Sequence, residues 1–193
     1  HDPHFSGFPK LLPVSERALC VGCHNKELNA ERGALKNLQA FLEANQGGQG
    51  PLKGKACVTC HNPHGSVNWR LLVKFYVSTF YTPYANSSYT LCFDCHEKET
   101  FTEKKTIHAT NFRNGSKNLH FLHVNKNDKG RTCRACHEVC SECQSTGRPN
   151  HIKESVEFGG WTTLMNFFPS KDGGTCAPGC HREKQYVRQK TTR

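Results

Sequence analysis

Five short cysteine–histidine runs recur along the 193 residues and leave this chain little freedom to build an ordinary core. Four read Cys-x-x-Cys-His: Cys20–His24, Cys57–His61, Cys92–His96 and Cys133–His137. The fifth, Cys176–His181, closes the same way after one extra residue, as Cys-Ala-Pro-Gly-Cys-His. Shared among five runs, the chain offers about 39 residues to each, too few for a separate hydrophobic core around every one.

Cys-x-x-Cys-His is the attachment signature of c-type haem. Two thiols add across the porphyrin vinyl groups, and the adjacent histidine is delivered beneath the iron as proximal ligand. Zinc is the competing reading, because Cys-x-x-Cys pairs also build zinc knuckles. A zinc site has no reason to place histidine directly after the second cysteine each time. Here histidine follows five of the six close cysteine pairs, which random placement would give on the order of once in 10⁵ sequences. A disulfide framework fails by the same test. Cys20, Cys23, Cys57, Cys60, Cys92, Cys95, Cys133, Cys136, Cys176 and Cys180 are therefore expected to tether five haems. His24, His61, His96, His137 and His181 are their proximal ligands.

Only 35% of the residues are hydrophobic, and the mean hydropathy is −0.69. The porphyrins must supply much of the apolar interior, and without them the chain is expected to stay largely unfolded. The expected fold is a haem-packed multihaem cytochrome c, mainly irregular, with short α-helices and little β-structure. The motifs are spread along the whole length, which predicts a single domain over 1–193. Residues 1–19 read as a Pro-containing arm with little periodicity. Lys26–Ala44 is the best helix, with Leu28, Leu35, Leu38 and Leu42 on one face and Phe41 beside it. The Gln46–Pro51 stretch ends it. Trp69–Tyr81, rich in Val, Phe, Tyr and Thr, predicts a strand or hairpin stopped by Pro83. A short helix is expected over Asn118–Val124 and extended chain over Val156–Phe168. Gly173-Gly174 reads as the opening of the last haem loop, and charge dominates the tail after His181.

The net charge of +10 invites a nucleic-acid reading. Two propionates on each of five haems cancel it, and ferric iron in a dianionic porphyrin returns one positive charge per haem. The holoprotein then runs from about neutral when reduced to about +5 when oxidised, which is no DNA footprint. No run approaches 18 consecutive apolar residues, so no transmembrane helix is expected. Covalent haem attachment takes place outside the cytoplasm in prokaryotes. His1 is accordingly read as a processed, mature N-terminus, and the compartment as periplasmic or extracellular.

What sits on the second face of each iron separates a wire from an enzyme. The chain has one methionine, Met165, so methionine cannot serve five irons. Seven histidines remain: His1, His4, His64, His108, His120, His123 and His151. Five bis-His haems need five of them. Such irons are closed to substrate, which predicts electron transfer and no catalysis. His120 and His123 stand three apart in Asn-Leu-His-Phe-Leu-His, on one helical face with Cβ atoms about 5–6 Å apart. They cannot take opposite sides of one iron, so two neighbouring irons are expected to share this helix. Pro63 turns the chain after His61 and should send His64 to a neighbouring haem. His108 and His151 compete for a further position, with His108 ahead by a small margin. His1-Asp-Pro-His4 is faintly similar to His61-Asn-Pro-His64. Cys140 and Cys143 have no following histidine; a disulfide is the bland reading in an oxidising compartment.

Several stretches together resemble the doubled-CXXCH multihaem cytochromes of metal-reducing bacteria. They are Leu91-Cys-Phe-Asp-Cys-His96, Phe112-Arg-Asn-Gly, Asn118-Leu-His-Phe-Leu-His-Val, Gly130-Arg-Thr-Cys-Arg-Ala-Cys-His-Glu, Phe158-Gly-Gly-Trp and Gly173-Gly-Thr-Cys-Ala-Pro-Gly-Cys-His. The resemblance covers about residues 57–187 and implies bis-His haems, export and electron delivery to extracellular acceptors. Relatives often carry a histidine where this chain has Cys140, a departure that raises the claim of His151. Some relatives polymerise into filaments in which a histidine of one subunit ligates a haem of the next. The arm carrying His1 and His4 makes such a homopolymer one expectation, with His4 or His1 crossing to a neighbour. An arm folded back onto its own first haem is the other. An extracellular filament subunit and a soluble periplasmic shuttle feeding a reductase are the two functional expectations. Other cytochromes or copies of itself, and extracellular or periplasmic acceptors, are the expected partners.

Overall fold

A computed structural model describes residues 1–27, 37–44, 57–137, 152–158 and 160–189. They fall into two compact units, one spanning His1–Val73, the other Lys74–His137 with the described part of 148–193.

In the first unit, helix α1 (Glu16–Cys23) begins inside the stretch expected to be an irregular arm. Ser15 starts it: its hydroxyl accepts the Ala18 N–H, and Glu16 places negative charge in the first turn. Helix α2 (Leu38–Ala44) is the described part of the helix expected over 26–44; Leu28, Leu35 and the Gln46–Pro51 stretch lie outside the described residues. The side chain of Asn37 caps α2 by accepting the Ala40 N–H at 3.1 Å. Leu42 is buried against Val21 and Leu38, which packs α2 on α1.

The expected strand over Trp69–Tyr81 does not form. Trp69–Leu71 is a single 3₁₀ turn, and Arg70 and Leu71 both take left-handed φ, 53° and 57°. A strand cannot continue through that conformation. What remains of pairing here is isolated bridges, His61 to Leu72 in the first unit and Tyr81 to Arg131 in the second.

The second unit contains α3 (Glu99–Thr102) and α4 (Leu119–Val124), with the two-residue strands β1 (Arg113–Asn114) and β2 (Lys117–Asn118) between them. Helix α4 forms where the sequence predicts it. Asn118 caps it by accepting the Phe121 N–H at 3.1 Å, and its amide donates to the Thr100 carbonyl on α3 at 2.9 Å. The predicted extended region is a hairpin, β3 (Ser155–Phe158) against β4 (Trp161–Leu164). It is followed by a three-stranded antiparallel sheet of β5 (Phe167–Ser170), β6 (Gly173–Cys176) and β7 (Lys184–Val187), with β6 in the centre.

Among the described residues, three small antiparallel sheets exceed the "little β" expected; the excess lies in the last third of the chain. Gly173 and Gly174 do not open a loop but begin the central strand. A Cβ on Gly173 would meet the Tyr186 carbonyl oxygen at 1.9 Å, so the glycine is what lets β7 approach. The charged tail after His181 supplies that strand: Lys184 and Gln185 are exposed while Tyr186 turns inward. Among the described residues, short helices, small sheets and much irregular chain carry few buried apolar side chains. Leu12, Leu42 and Leu72 serve the first unit, and Tyr76, Tyr89, Val124, Ala135, Val156, Met165 and Tyr186 the second. Meanwhile Phe5, Trp161 and Phe168 lie open at 80%, 77% and 65% exposure.

Candidate haem-attachment sites

Each Cys-x-x-Cys-His run folds as one helical turn. The histidine N–H donates to the carbonyl of the first cysteine in all four, at 3.0 Å for His24, 3.0 Å for His61, 2.9 Å for His96 and 2.9 Å for His137. That turn is the end of α1 in the first run and a 3₁₀ turn at Cys57–Thr59, Cys92–Asp94 and Cys133–Ala135 in the others. Spacing by three on such a turn brings both sulfurs to one side. None of the ten motif cysteines is in a disulfide. The fifth run is built otherwise: Cys176 ends β6, and the extra residue is absorbed by Gly179 at φ +71°. A Cβ there would sit 2.1 Å from the Thr163 methyl carbon on β4.

Six of the described histidines stand in pairs, ring against ring. On α4 the His120 ring lies 6.2 Å from that of His137, nearly parallel at 25°. One turn further, His123 lies 6.5 Å from His181. Two imidazoles bound to opposite faces of one iron, each through a bond of roughly 2 Å, have centroids about 6 Å apart. In the first unit the His1 and His64 rings stand 5.6 Å apart, with their planes at 90°.

The ring nitrogens are prepared for such a role. The Nδ1–H of His61 donates to the Arg70 carbonyl at 3.0 Å, that of His123 to the Leu119 carbonyl at 2.7 Å, and that of His181 to the Arg182 carbonyl at 2.7 Å. His120 Nδ1 shares a hydrogen bond with the Thr110 hydroxyl at 2.9 Å. Where Nδ1 donates to a carbonyl, the tautomer is fixed and Nε2 is left as the lone-pair donor, the usual outer partner of a metal-bound histidine. Burial, helped by the neighbouring His137, His123 and His96 rings, pushes the His120 pKa down to about 3. Burial also pushes His123 down, against the Leu119 hydrogen bond that raises it. Both are neutral imidazoles near neutral pH, as ligation requires.

Phe112 is a positioning residue that motif reading alone does not single out. It stacks on His123 at 5.7 Å and 26° and meets His120 edge-on at 5.2 Å, filling the space between the two rings. Tyr76 is another: its hydroxyl accepts the Arg134 N–H at 3.1 Å and steadies the fourth motif's turn. Thr132 does the same from the other side, donating to the Thr79 carbonyl at 3.0 Å. The first thiols of the third and fourth motifs, Cys92 and Cys133, share a hydrogen bond that lowers the pKa of Cys92 and raises that of Cys133. Burial pushes Cys136 up to about 11, keeping it a thiol.

Of the other expected ligands, His24, His61 and His96 end their turns as described. His4 is exposed on the first loop, and His108 is exposed within the turn that Thr106 caps. His151, Cys140 and Cys143 lie outside the described residues. Among the described residues no group of three or more His, Cys, Asp or Glu is gathered as a metal cage. The donor sets are instead two thiols and an imidazole along one turn, with a second imidazole facing the first at the fourth and fifth motifs. This fits a tethered iron porphyrin, as does the small core beside exposed aromatic side chains.

No helix among the described residues is long and apolar enough to cross a membrane. No curated protein and no solved structure matches the chain. Residues 1–29 and 50–101 match the family model of the doubled CXXCH motif, and that motif supports a multihaem c-type cytochrome, of a class generally exported, that binds haem covalently and transfers electrons.

Proposed function

We propose that this chain conducts electrons through five covalently bound c-type haems, one on each complete motif, with imidazole on both faces of each iron. The observation that carries the reading is the double pairing on α4, His120 with His137 and His123 with His181. Two sites that share one helix are held close, and closeness is what electron hopping needs. Haem iron supplies the one-electron exchange. The protein's part is to tether the porphyrin at two sulfurs, orient both imidazoles and keep substrates off the iron. This reading makes the chain a carrier and not an enzyme. His24, His61 and His96 would draw their second ligands from His4, His64, His108 and His151.

The carrier works outside the cytoplasm and passes electrons to other cytochromes, to copies of itself or to extracellular acceptors. A filament subunit and a soluble periplasmic shuttle are the two forms of this proposal. Size-exclusion chromatography of the holoprotein distinguishes them: large assemblies favour the filament, and a monodisperse monomer the shuttle. The haem reading itself is tested by pyridine haemochrome assay with electron paramagnetic resonance (EPR). At least five haems per polypeptide, all low-spin, is the expected result. Fewer than five, or a high-spin iron in the native protein, would overturn it.

A further inference from the structure

Residues 1–12 and 61–72 are the same loop, built twice at an offset of sixty. Six of the twelve positions are identical: His1 and His61, Pro3 and Pro63, His4 and His64, Ser6 and Ser66, Leu11 and Leu71, Leu12 and Leu72. The hydrogen bonds repeat with them. The Asp2 N–H donates to the Leu11 carbonyl at 2.6 Å, and Asn62 to Leu71 at 2.7 Å. The His4 N–H donates to the Asp2 carboxylate at 3.1 Å, and His64 to the Asn62 side chain at 3.2 Å. The Ser6 and Ser66 hydroxyls donate to the Leu12 and Leu72 carbonyls. Lys10 and Leu11 take left-handed φ, 61° and 54°, as Arg70 and Leu71 do. Four bulky residues in that costly region, in matching pairs, mark one conformation imposed twice.

The first residue of the second copy is the proximal histidine of the second motif. His1 holds the equivalent place, and its Nδ1–H donates to the Lys10 carbonyl at 2.8 Å, as His61 does to Arg70 at 3.0 Å. In both copies Nε2 is left to bind iron. His64 stands opposite His1, ring to ring at 5.6 Å. We infer that His1 and His64 are the axial pair of a further haem, additional to those on the five complete motifs, with His1 in the proximal place.

The histidine count agrees. Five proximal residues and seven others leave two spare for five haems, but twelve histidines make six axial pairs with none over.

The inference rests on the haem reading above, and its test separates the two. The full-length polypeptide is purified from cells that mature c-type haem, then analysed by haemochrome assay, peptide mass spectrometry and EPR. The expected result is a haem beyond the five. His1→Ala and His64→Ala should each convert one low-spin haem per polypeptide to high-spin, and the double variant should convert no more than one. His64→Met, which keeps a sixth ligand, should raise the potential of that single haem. Five haems per polypeptide, or two separate high-spin haems in the double variant, would overturn the inference and leave the carrier reading intact. A protein without porphyrin absorption would remove both.

Discussion

At the scale of single residues, the weight falls on histidines whose environment keeps them neutral. His120 has a folded-state pKa near 3, against about 6.5 for an ordinary histidine. The unfolded chain therefore takes up a proton that the folded chain refuses. Stability contributed by this ring is complete above about pH 6.5 and is lost as pH falls toward 3. Acid titration followed by absorption spectroscopy should show low-spin haem giving way to high-spin across that window. His123→Ala should open one iron, seen as one high-spin haem by EPR, while the haem count stays unchanged. Phe112→Ala removes the ring packed against both α4 imidazoles. Broadened EPR signals from two haems, with the others unaltered, are expected. The sulfur and proximal positions can be read directly from residue spacing. Phe112 and Tyr76 cannot, because their role comes from segments far apart in sequence, and no local pattern records what an aromatic side chain will touch.

Among the elements, α4 shows what sequence conveys well. Asn118 followed by an apolar run with histidines three apart specifies cap, helix and shared face together. Asn118→Ala should cost about 1–2 kcal/mol for the cap, measured as a lowered midpoint of thermal unfolding. Helix α1 is less visible, since its cysteines break the apolar period; Ser15 and Glu16 were the signal that marks its start. The Trp69–Tyr81 segment misleads in the opposite direction. Its β-rich composition is real, but the left-handed pair at Arg70 and Leu71 belongs to a loop whose shape is set by hydrogen bonds back to residues 61 and 62. Strands β5–β7 were hidden because glycine and charge usually mark loops. Here close approach to Tyr186 requires the one, and an exposed edge tolerates the other. Gly179→Ala combines an unfavourable φ with a collision against Thr163. Peptide mass spectrometry should find haem occupancy reduced at Cys176 and Cys180, with the other four motifs fully modified.

For the whole molecule, the shortage of buried apolar side chains among the described residues has a direct outcome. Chain produced without haem maturation should show weak far-ultraviolet circular dichroism and no cooperative thermal transition, because cofactor binding supplies much of the folding energy. The twelve-residue loop that returns after sixty positions bears on architecture as well as chemistry. The hydrogen bonds that the two copies share lie within each copy, so the loop's shape is set largely by its own residues. A scaffold of this kind can be extended by copying a period, each addition arriving with its own imidazoles. The length of such a conductor is then set by how many periods a gene holds, while a partial insertion inside one period would break the register between an imidazole and the iron it was placed to meet.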